Sequence, residues 1–237
     1  MKETLGILLA GGKGTRLLPM TKVTNKHLLP VYDKPMIYYP LNTLITAGIK
    51  NIMVITGTEH MGDIINLLGS GKDFGVNFTY KVQDEAGGIA QALGLCKEFV
   101  RDNNCMVILG DNIIEDNLKE KVENFTDGCH LFLKKVTDPK RFGVPVFDED
   151  KIVRIEEKPI NPKSDFAITG VYIYDSSVFN KIEEIEFSDR GEMEITDVNN
   201  AYIREEKING SELEGFWSDA GKPDSLYNSS TYIKNKG

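Results

Sequence analysis

Apolar residues in this chain follow two rhythms. Up to Asn112, short continuous apolar runs alternate with stretches whose apolar residues recur every three or four positions; beyond it, alternating runs follow one another across short turns. In the first half, Leu5 to Ala10 and Asn51 to Thr56 read as strands covered on both faces. "CMVIL" makes a third such strand, ending in Gly110-Asp111-Asn112. Val76 to Lys81 alternates and is predicted to be a strand with one face buried. Between these runs, Pro35 opens "PMIYYPLNTLITAG", in which Ile37, Leu41, Leu44 and Ile45 keep helical spacing until Gly48. Pro40 lies inside that segment and, lacking a backbone N–H, is expected to kink or tighten the helix. A second helix is predicted from Met61 to Leu68, stopped by Gly69. In "GGIAQALGLCKEFV", Ile89, Ala92, Leu93, Cys96, Phe99 and Val100 fall on one helical stripe.

After Asn112 the spacing predicts strands at Leu131–Val136, Val144–Phe147, Ile152–Glu156 and Ile168–Tyr174. Helices follow near Ser177–Glu184, Glu194–Glu205 and Asp224–Asn235. Strands alternating with helices predict an α/β fold: a Rossmann-like, open, mostly parallel central sheet flanked by helices and mixed toward the second half. There is no internal repeat or long linker, so residues 1–237 are read as one domain. In such sheets ligands bind beyond the carboxyl ends of the strands, where both Gly11 and Asp111 fall.

The turn after the first strand, "LLAGGKGTRLLP", narrows the chemistry. A Walker A loop needs four residues between its first glycine and GK[ST], and neither Gly11 nor Gly12 supplies that spacing. A dinucleotide fingerprint needs a third glycine where Leu17 stands, and Asp33 sits within "VYDKP" rather than after a strand. What remains is a turn whose backbone N–H groups can surround an anion, with Lys13 and Arg16 adding charge, or else a tight turn of purely structural use. Lys26 and His27 interrupt an otherwise apolar approach to Pro30. Lys26 is either a solvated lysine or a second cation for the same anion.

Bulk properties set limits. Lys plus Arg number 28 against 36 Asp plus Glu, a formal net charge of -8, which argues against a general nucleic-acid or anionic-membrane binder. Cys96, Cys105 and Cys129 show no CxxC spacing and read as thiols in a reducing compartment. The N-terminus runs into a strand without the pattern of a signal peptide, and no run reaches 18 apolar residues, so the expected location is cytoplasmic.

The stretch "LAGGKGTRLLPMTKVTNKHLLPVYDKPMIYYPL" resembles the opening of the sugar-nucleotide pyrophosphorylases, in particular their thymidylyl-transferring members. The resemblance continues through Gln83, "GIAQA", Gly110-Asp111-Asn112, "RFGV", "EEKP", "TGVYIYD", "RGEMEITDVN" and Trp217-Ser218-Asp219-Ala220-Gly221, and so covers nearly the whole chain in order. It implies the nucleotide-diphospho-sugar transferase type of fold, with residues 1–112 mainly binding nucleotide and 113–237 mainly binding sugar phosphate. It also implies a reaction: a sugar 1-phosphate attacks the alpha phosphorus of a nucleoside triphosphate in line and releases pyrophosphate. The implied substrates are dTTP or UTP and glucose 1-phosphate. Apart from the resemblance, the acidic balance leads to the expectation of no nucleic-acid or membrane partner, and the chain is expected to form a homo-oligomer, as a dimer.

The same resemblance assigns residues. Leu9, Ala10, Gly11, Gly12, Gly14, Thr15 and Arg16 close on the nucleotide, while Gln83 and Gly88 meet the base. Arg16, Lys26, Asp111 and Lys158 carry the catalysis, with Arg16 and then Lys26 ranked first for loss of turnover. Gly143, Glu157, Lys158, Thr169, Gly170, Tyr172 and Arg190 hold the sugar phosphate, and Asp111 with Asp219 holds Mg2+. Without the resemblance, each aspartate reads more readily as a turn or cap residue than as a metal ligand. The chain departs from the thymidylyl pattern "SKQLLPV" in having Asn25-Lys26-His27, and from its proline-containing loop after Gln83 in having "DEAGG". The rival readings are a UTP-using enzyme or one taking another hexose 1-phosphate, a regulatory protein that binds nucleotide-sugar without making it, and a generic α/β domain whose glycine turn is structural.

Overall fold

A computed structural model describes residues 2–236. In chain order its elements begin with β1 (Thr4–Ala10), β2 (Pro30–Val31), β3 (Lys34–Pro35), α1 (Tyr38–Thr46), β4 (Asn51–Gly57), α2 (Met61–Leu68) and β5 (Asn77–Gln83). Next come α3 (Ile89–Gly94), α4 (Lys97–Val100), β6 (Asn104–Leu109), β7 (Asn112–Ile114), α5 (Lys119–Glu123), β8 (Cys129–Lys135), β9 (Gly143–Asp148) and β10 (Lys151–Glu157). The chain closes with β11 (Phe166–Tyr174), α6 (Val178–Glu184), α7 (Ile195–Arg204), β12 (Ile208–Glu212), β13 (Trp217–Asp219) and α8 (Pro223–Lys236). Seven strands form a mixed sheet in the order β12-β8-β11-β6-β1-β4-β5, giving the helix-flanked α/β fold that the hydrophobic rhythm predicts.

The chain divides into two compact units that interleave along the sequence. One comprises Leu5–Ala86, Ile108–Glu120 and residues 215–236. Within it β1, β4 and β5 pair in parallel, with Gly6 opposite Ile52 and Gly57 opposite Gln83. β1 and β4 are buried along nearly their whole length, because their continuous apolar runs supply side chains for both faces. β5 alternates between exposed and half-covered residues, as its period of two requires. A small core of Val31, Met36, Ile113 and Ala220, flanked by Phe216, Leu226 and Ile233, fixes β13 and α8.

The other unit comprises residues 2–4, Gly87–Val107 and Lys121–Glu214. There β11 pairs antiparallel with β8, β12 pairs parallel with β8, and β9 and β10 form a hairpin. Its interior holds Tyr174 and Tyr202, stacked with ring centroids 5.8 Å apart.

Two expectations about helices need correction. α1 begins at Tyr38, not Pro35, because Lys34 and Pro35 are drawn into the short β2–β3 ladder. Pro40 therefore sits in the first helical turn, whose N–H groups have no intrahelical acceptor, and it removes no hydrogen bond from the helix. The "GGIAQALGLCKEFV" stripe is two short helices, since the backbone tightens where Cys96 N bonds to Leu93 O at 2.9 Å. The burial pattern survives the break: Ala92, Leu93, Cys96 and Val100 are all buried. Among the described residues, no helix is long and apolar enough to cross a membrane.

Candidate active site

β1 ends at Ala10 and the chain turns through Gly11 to Gly14 into three single 3-10 turns, Thr15–Leu17, Met20–Lys22 and Lys26–Leu28. Gly14 has φ 64°, and a Cβ there would lie 2.8 Å from the Cβ of Lys26, so a side chain is barred by both conformation and space. The turn is held by Leu17 N on Gly14 O at 2.9 Å and by the Thr21 hydroxyl donating to the same oxygen at 2.9 Å. Gly11 has a different reason to be glycine: its Cβ would fall 2.9 Å from Oε1 of Gln83. Parallel pairing of β4 with β5 brings the end of β5 to this place, and the Gln83 side chain packs against the glycine turn. Gly11, Gly12, Lys13, His60, Gln83 and Asp84 are among the residues that line one cleft.

Asp111 occupies the turn between β6 and β7. β7 pairs antiparallel with β13 in a register that sets Asn112 opposite Asp219. Two aspartates 108 positions apart in the chain thus lie on adjoining strand ends. Trp217 Nε1 donates to Asn112 Oδ1 at 2.7 Å, and Asn112 Nδ2 donates to Asp111 Oδ1 at 3.0 Å, so the tryptophan orients the carboxylate through the amide. Lys26 Nζ donates to Asp111 Oδ2 at 2.7 Å, with both side chains about nine-tenths buried. Burial by itself would raise the Asp111 pKa. The Lys26 ammonium and the hydrogen bonds from Lys26 and Asn112 outweigh it and hold the carboxyl at about 2.

Gly221 marks where these groups meet. A Cβ placed on it would lie 3.2 Å from Asp111 Oδ2, 3.2 Å from the Asp219 carbonyl oxygen and 3.6 Å from Arg16 Nη2. A carboxylate, a carbonyl and a guanidinium therefore surround a space that only a glycine leaves open. Among the described residues no group of three or more His, Cys, Asp or Glu side chains is placed to hold a metal. The oxygen donors of Asp111 and Asp219 suit a hard divalent cation that keeps water among its ligands, and match poorly an ion needing a full protein cage.

His27 is 2% exposed. Asn25 Oδ1 accepts both the His27 backbone N–H, at 2.8 Å, and Nδ1 of the ring, at 2.7 Å. Burial and the neighbouring Lys26 charge push its pKa down to about 3 from 6.5. Between these values the unfolded chain binds a proton that the folded one refuses, so stability rises with pH across the window from about 3 to 6.5. Asp111, depressed from 3.8 to about 2, loses its contribution as pH falls through that range and acts in the same direction. The expected result is a fall of up to about 1.4 kcal/mol of unfolding free energy per pH unit below pH 6 from His27 alone. Denaturant melts at pH 4 and pH 7 check it, with His27→Gln, which cannot titrate there, showing a flatter dependence; parallel curves would contradict the assignment.

In the other unit, the β9–β10 hairpin pairs Gly143 with Glu157. Glu157 Oε2 accepts from the Thr196 hydroxyl at 2.6 Å, and Oε1 lies 3.2 Å from Lys158 Nζ and 3.3 Å from Arg190 Nη1. Lys158 takes φ 43°, which turns the chain away at the end of β10, and its N–H bonds to Phe142 O at 3.0 Å. Arg190 also reaches Glu192 at 2.6 Å and Glu194 at 3.5 Å, so three carboxylates share one guanidinium. The β11–β8 register shifts between Ile168 and Tyr172, and Thr169 and Gly170 sit in that irregularity. The Thr169 hydroxyl donates to Phe132 O at 2.8 Å, and Tyr172 is buried in a stack on Tyr174. Gly88 belongs to this unit too, with φ 100° and Met193 O only 2.5 Å from where its Cβ would be.

The structure thus gathers Gly11, Gly12, Gly14, Arg16, Lys26, Gln83, Asp111 and Asp219 in one unit, and Gly143, Glu157, Lys158 and Arg190 in the other. Reasoning from sequence passes over Asn25, Asn112, Trp217, Gly221 and Thr196 as functional residues. All lie inside stretches that carry the resemblance, but a supporting side chain has no spacing signal of its own.

Residues 5–236 match the nucleotidyl transferase family. The chain is 44% identical over 97% of its length to a glucose-1-phosphate thymidylyltransferase of Neisseria meningitidis, covering 82% of that protein. It is 43% identical to one from Mycolicibacterium smegmatis, over 97% of this chain and 82% of that one. Among solved structures, a Bacillus anthracis protein provisionally assigned as a glucose-1-phosphate thymidylyltransferase, in complex with a sucrose, is 52% identical. It superposes with a TM-score of 0.94 over 98% of this chain and 96% of its own.

Proposed function

Because the chain belongs to the glucose-1-phosphate thymidylyltransferase family of nucleotidyl transferases, we propose that it joins dTTP to alpha-D-glucose 1-phosphate, forming dTDP-glucose and pyrophosphate. It is an enzyme of that family, and the convergence of Arg16, Asp111 and the Asp219 backbone on Gly221, with Lys26 bonded to Asp111, carries the reading.

The attacking oxygen of a sugar phosphate is already an anion, so the reaction needs no strong base. It needs two anionic substrates brought together, and charge on the alpha phosphate and the leaving pyrophosphate neutralised as it builds. The glycine turn offers backbone N–H groups to the triphosphate. Arg16 brings a planar fork suited to adjacent phosphate oxygens, and Lys26 adds a point charge beside Asp111. The family works with a divalent metal; here Asp111 and Asp219 would hold Mg2+, which supplies charge neutralisation at the phosphates. Glu157 takes sugar hydroxyls and Lys158 the sugar phosphate, with Arg190 as a further cation. Gln83 can donate to one pyrimidine carbonyl and accept from N3–H, which separates thymine and uracil from cytosine. The buried thiols Cys96, Cys105 and Cys129 accord with a cytoplasmic setting.

A pyrophosphate-release panel tests this, crossing dTTP, UTP, CTP, ATP and GTP with several sugar 1-phosphates, with and without Mg2+. The expected result is highest turnover with dTTP and glucose 1-phosphate, and loss of release when the metal is chelated. One methyl in a pocket is worth roughly 1–3 kcal/mol, so UTP should be slower by about tenfold or more. Faster turnover with UTP would transfer the reading to uridylyl transfer. Nucleotide-sugar binding without release would make the protein a regulator.

A further inference from the structure

Between the glycine turn and the Asp111 turn lies one buried side chain that the mechanism above leaves unused, His27. Its ring packs against two backbones that carry other groups. A Cβ on Gly110, the residue before Asp111, would lie 2.6 Å from His27 Cδ2 and 3.1 Å from Nε2, while one on Gly12 would lie 4.0 Å from Cε1. The imidazole also lies against the backbone of Ala10, where β1 ends. On its other side the ring is pinned by Asn25, whose single oxygen takes both the ring Nδ1 and the His27 N–H. The ring therefore touches the end of β1, the glycine turn and the Asp111 turn, and it is joined through the chain to Lys26, whose ammonium lies on Asp111 at 2.7 Å.

We infer that His27 is a positioning residue: a rigid spacer, locked by Asn25, that sets where the Lys26 ammonium and the Asp111 carboxylate stand relative to the glycine turn. This rests on the reading of Lys26 and Asp111 given above. A planar five-membered ring with few rotamers suits the task, because the space beside Gly110 is tight, with Leu9 O at 3.0 Å from the same Cβ position. An apolar side chain would fill the volume without an N–H for Asn25. Its effect falls on the nucleotide and metal side of the reaction. The sugar-phosphate residues Glu157, Lys158 and Arg190 are held by their own contacts, with Thr196, Glu192 and Glu194.

The test compares wild type, His27→Leu, His27→Gln and Asn25→Ala in the full chain. It measures kcat, KM for each substrate and the Mg2+ concentration giving half-maximal rate, with a thermal melt of each variant. A misplacement of about 1 Å at such a centre lowers rates by roughly 100-fold. His27→Leu is therefore expected to lose on the order of 100-fold in kcat and to need more Mg2+, with KM for glucose 1-phosphate unchanged. His27→Gln, which keeps an amide N–H within the volume of the ring, should recover most of that loss. Asn25→Ala, which unpins the ring but leaves it in place, should move kcat and Mg2+ demand in the same direction by a smaller factor and keeps the test open if His27→Leu does not fold. Wild-type kcat and Mg2+ dependence in Asn25→Ala and His27→Leu would overturn the inference. So would a loss in His27→Gln equal to that in His27→Leu, or a rise in KM for glucose 1-phosphate with kcat intact. A wild-type chain without any Mg2+-dependent pyrophosphate release is a separate outcome, which overturns the function itself.

Discussion

Arg16→Ala is expected to lower kcat by roughly 100-fold to 1000-fold, the usual consequence of removing one donor aimed at charge that develops in the transition state. The Arg16 guanidinium stands 3.6 Å from the open position on Gly221, and Asp111 Oδ2 stands 3.2 Å from it, so the fork reaches the place where the Asp111 carboxylate also points. Pyrophosphate carries its new charge on oxygens that such a fork can take two at a time. KM for dTTP should rise less than kcat falls, since the ground-state triphosphate still has the glycine turn and Lys13. Arg16→Lys should recover only part of the loss, because an ammonium keeps the charge and loses the planar pair of N–H donors. Arg16 is exposed, so the variant should melt with the wild type. Steady-state kinetics with saturating glucose 1-phosphate checks the split, and unchanged turnover in Arg16→Ala would remove Arg16 from the catalytic group.

Lys26→Met should cost a comparable factor, again roughly 100-fold to 1000-fold in kcat, with a second consequence that Arg16→Ala lacks. Methionine keeps the length of the chain and removes the charge. Asp111 is then left buried with only the Asn112 amide on its carboxylate and no ammonium at 2.7 Å. Breaking a buried pair in this way costs about 3–5 kcal/mol when the remaining charge finds no other partner. The Asp111 pKa, now held at about 2, should move up, because burial is the largest influence on it and raises it. The variant should therefore melt lower than wild type without metal and gain more from added Mg2+, which can take over the carboxylate. A Lys26→Met protein that melts like wild type and shows the same gain from Mg2+ would contradict the pairing of Lys26 with Asp111 as a stabilising contact.

The residues that act locally are legible in the amino-acid order. Gly14 must be glycine because the chain turns there through a left-handed conformation, and the run "LLAGGKGTR" announces such a turn directly after an apolar strand. Burial of β1 and β4 on both faces follows from their continuous apolar runs. Pro40 departs from its expected role for a local reason as well. A proline removes a helical hydrogen bond only past the first turn, and the start of α1 depends on the β2–β3 ladder, which two-residue strands do not advertise. Arg190 could be picked out as a cation, whereas its sharing among Glu157, Glu192 and Glu194 could not, because the first of these lies 33 positions away on another element.

By itself the amino-acid order determined the α/β alternation, the glycine turn and the types of charged group available, since strand and helix periods and glycine's permissive backbone are properties of neighbours in the chain. Tertiary structure alone decided that Asp219 stands beside Asn112, that Lys26 rests on Asp111, and that His27 is sealed against Gly110 and Gly12. Those facts depend on strand register and on which side chains exclude water, and both are set only when segments distant in sequence close on one another.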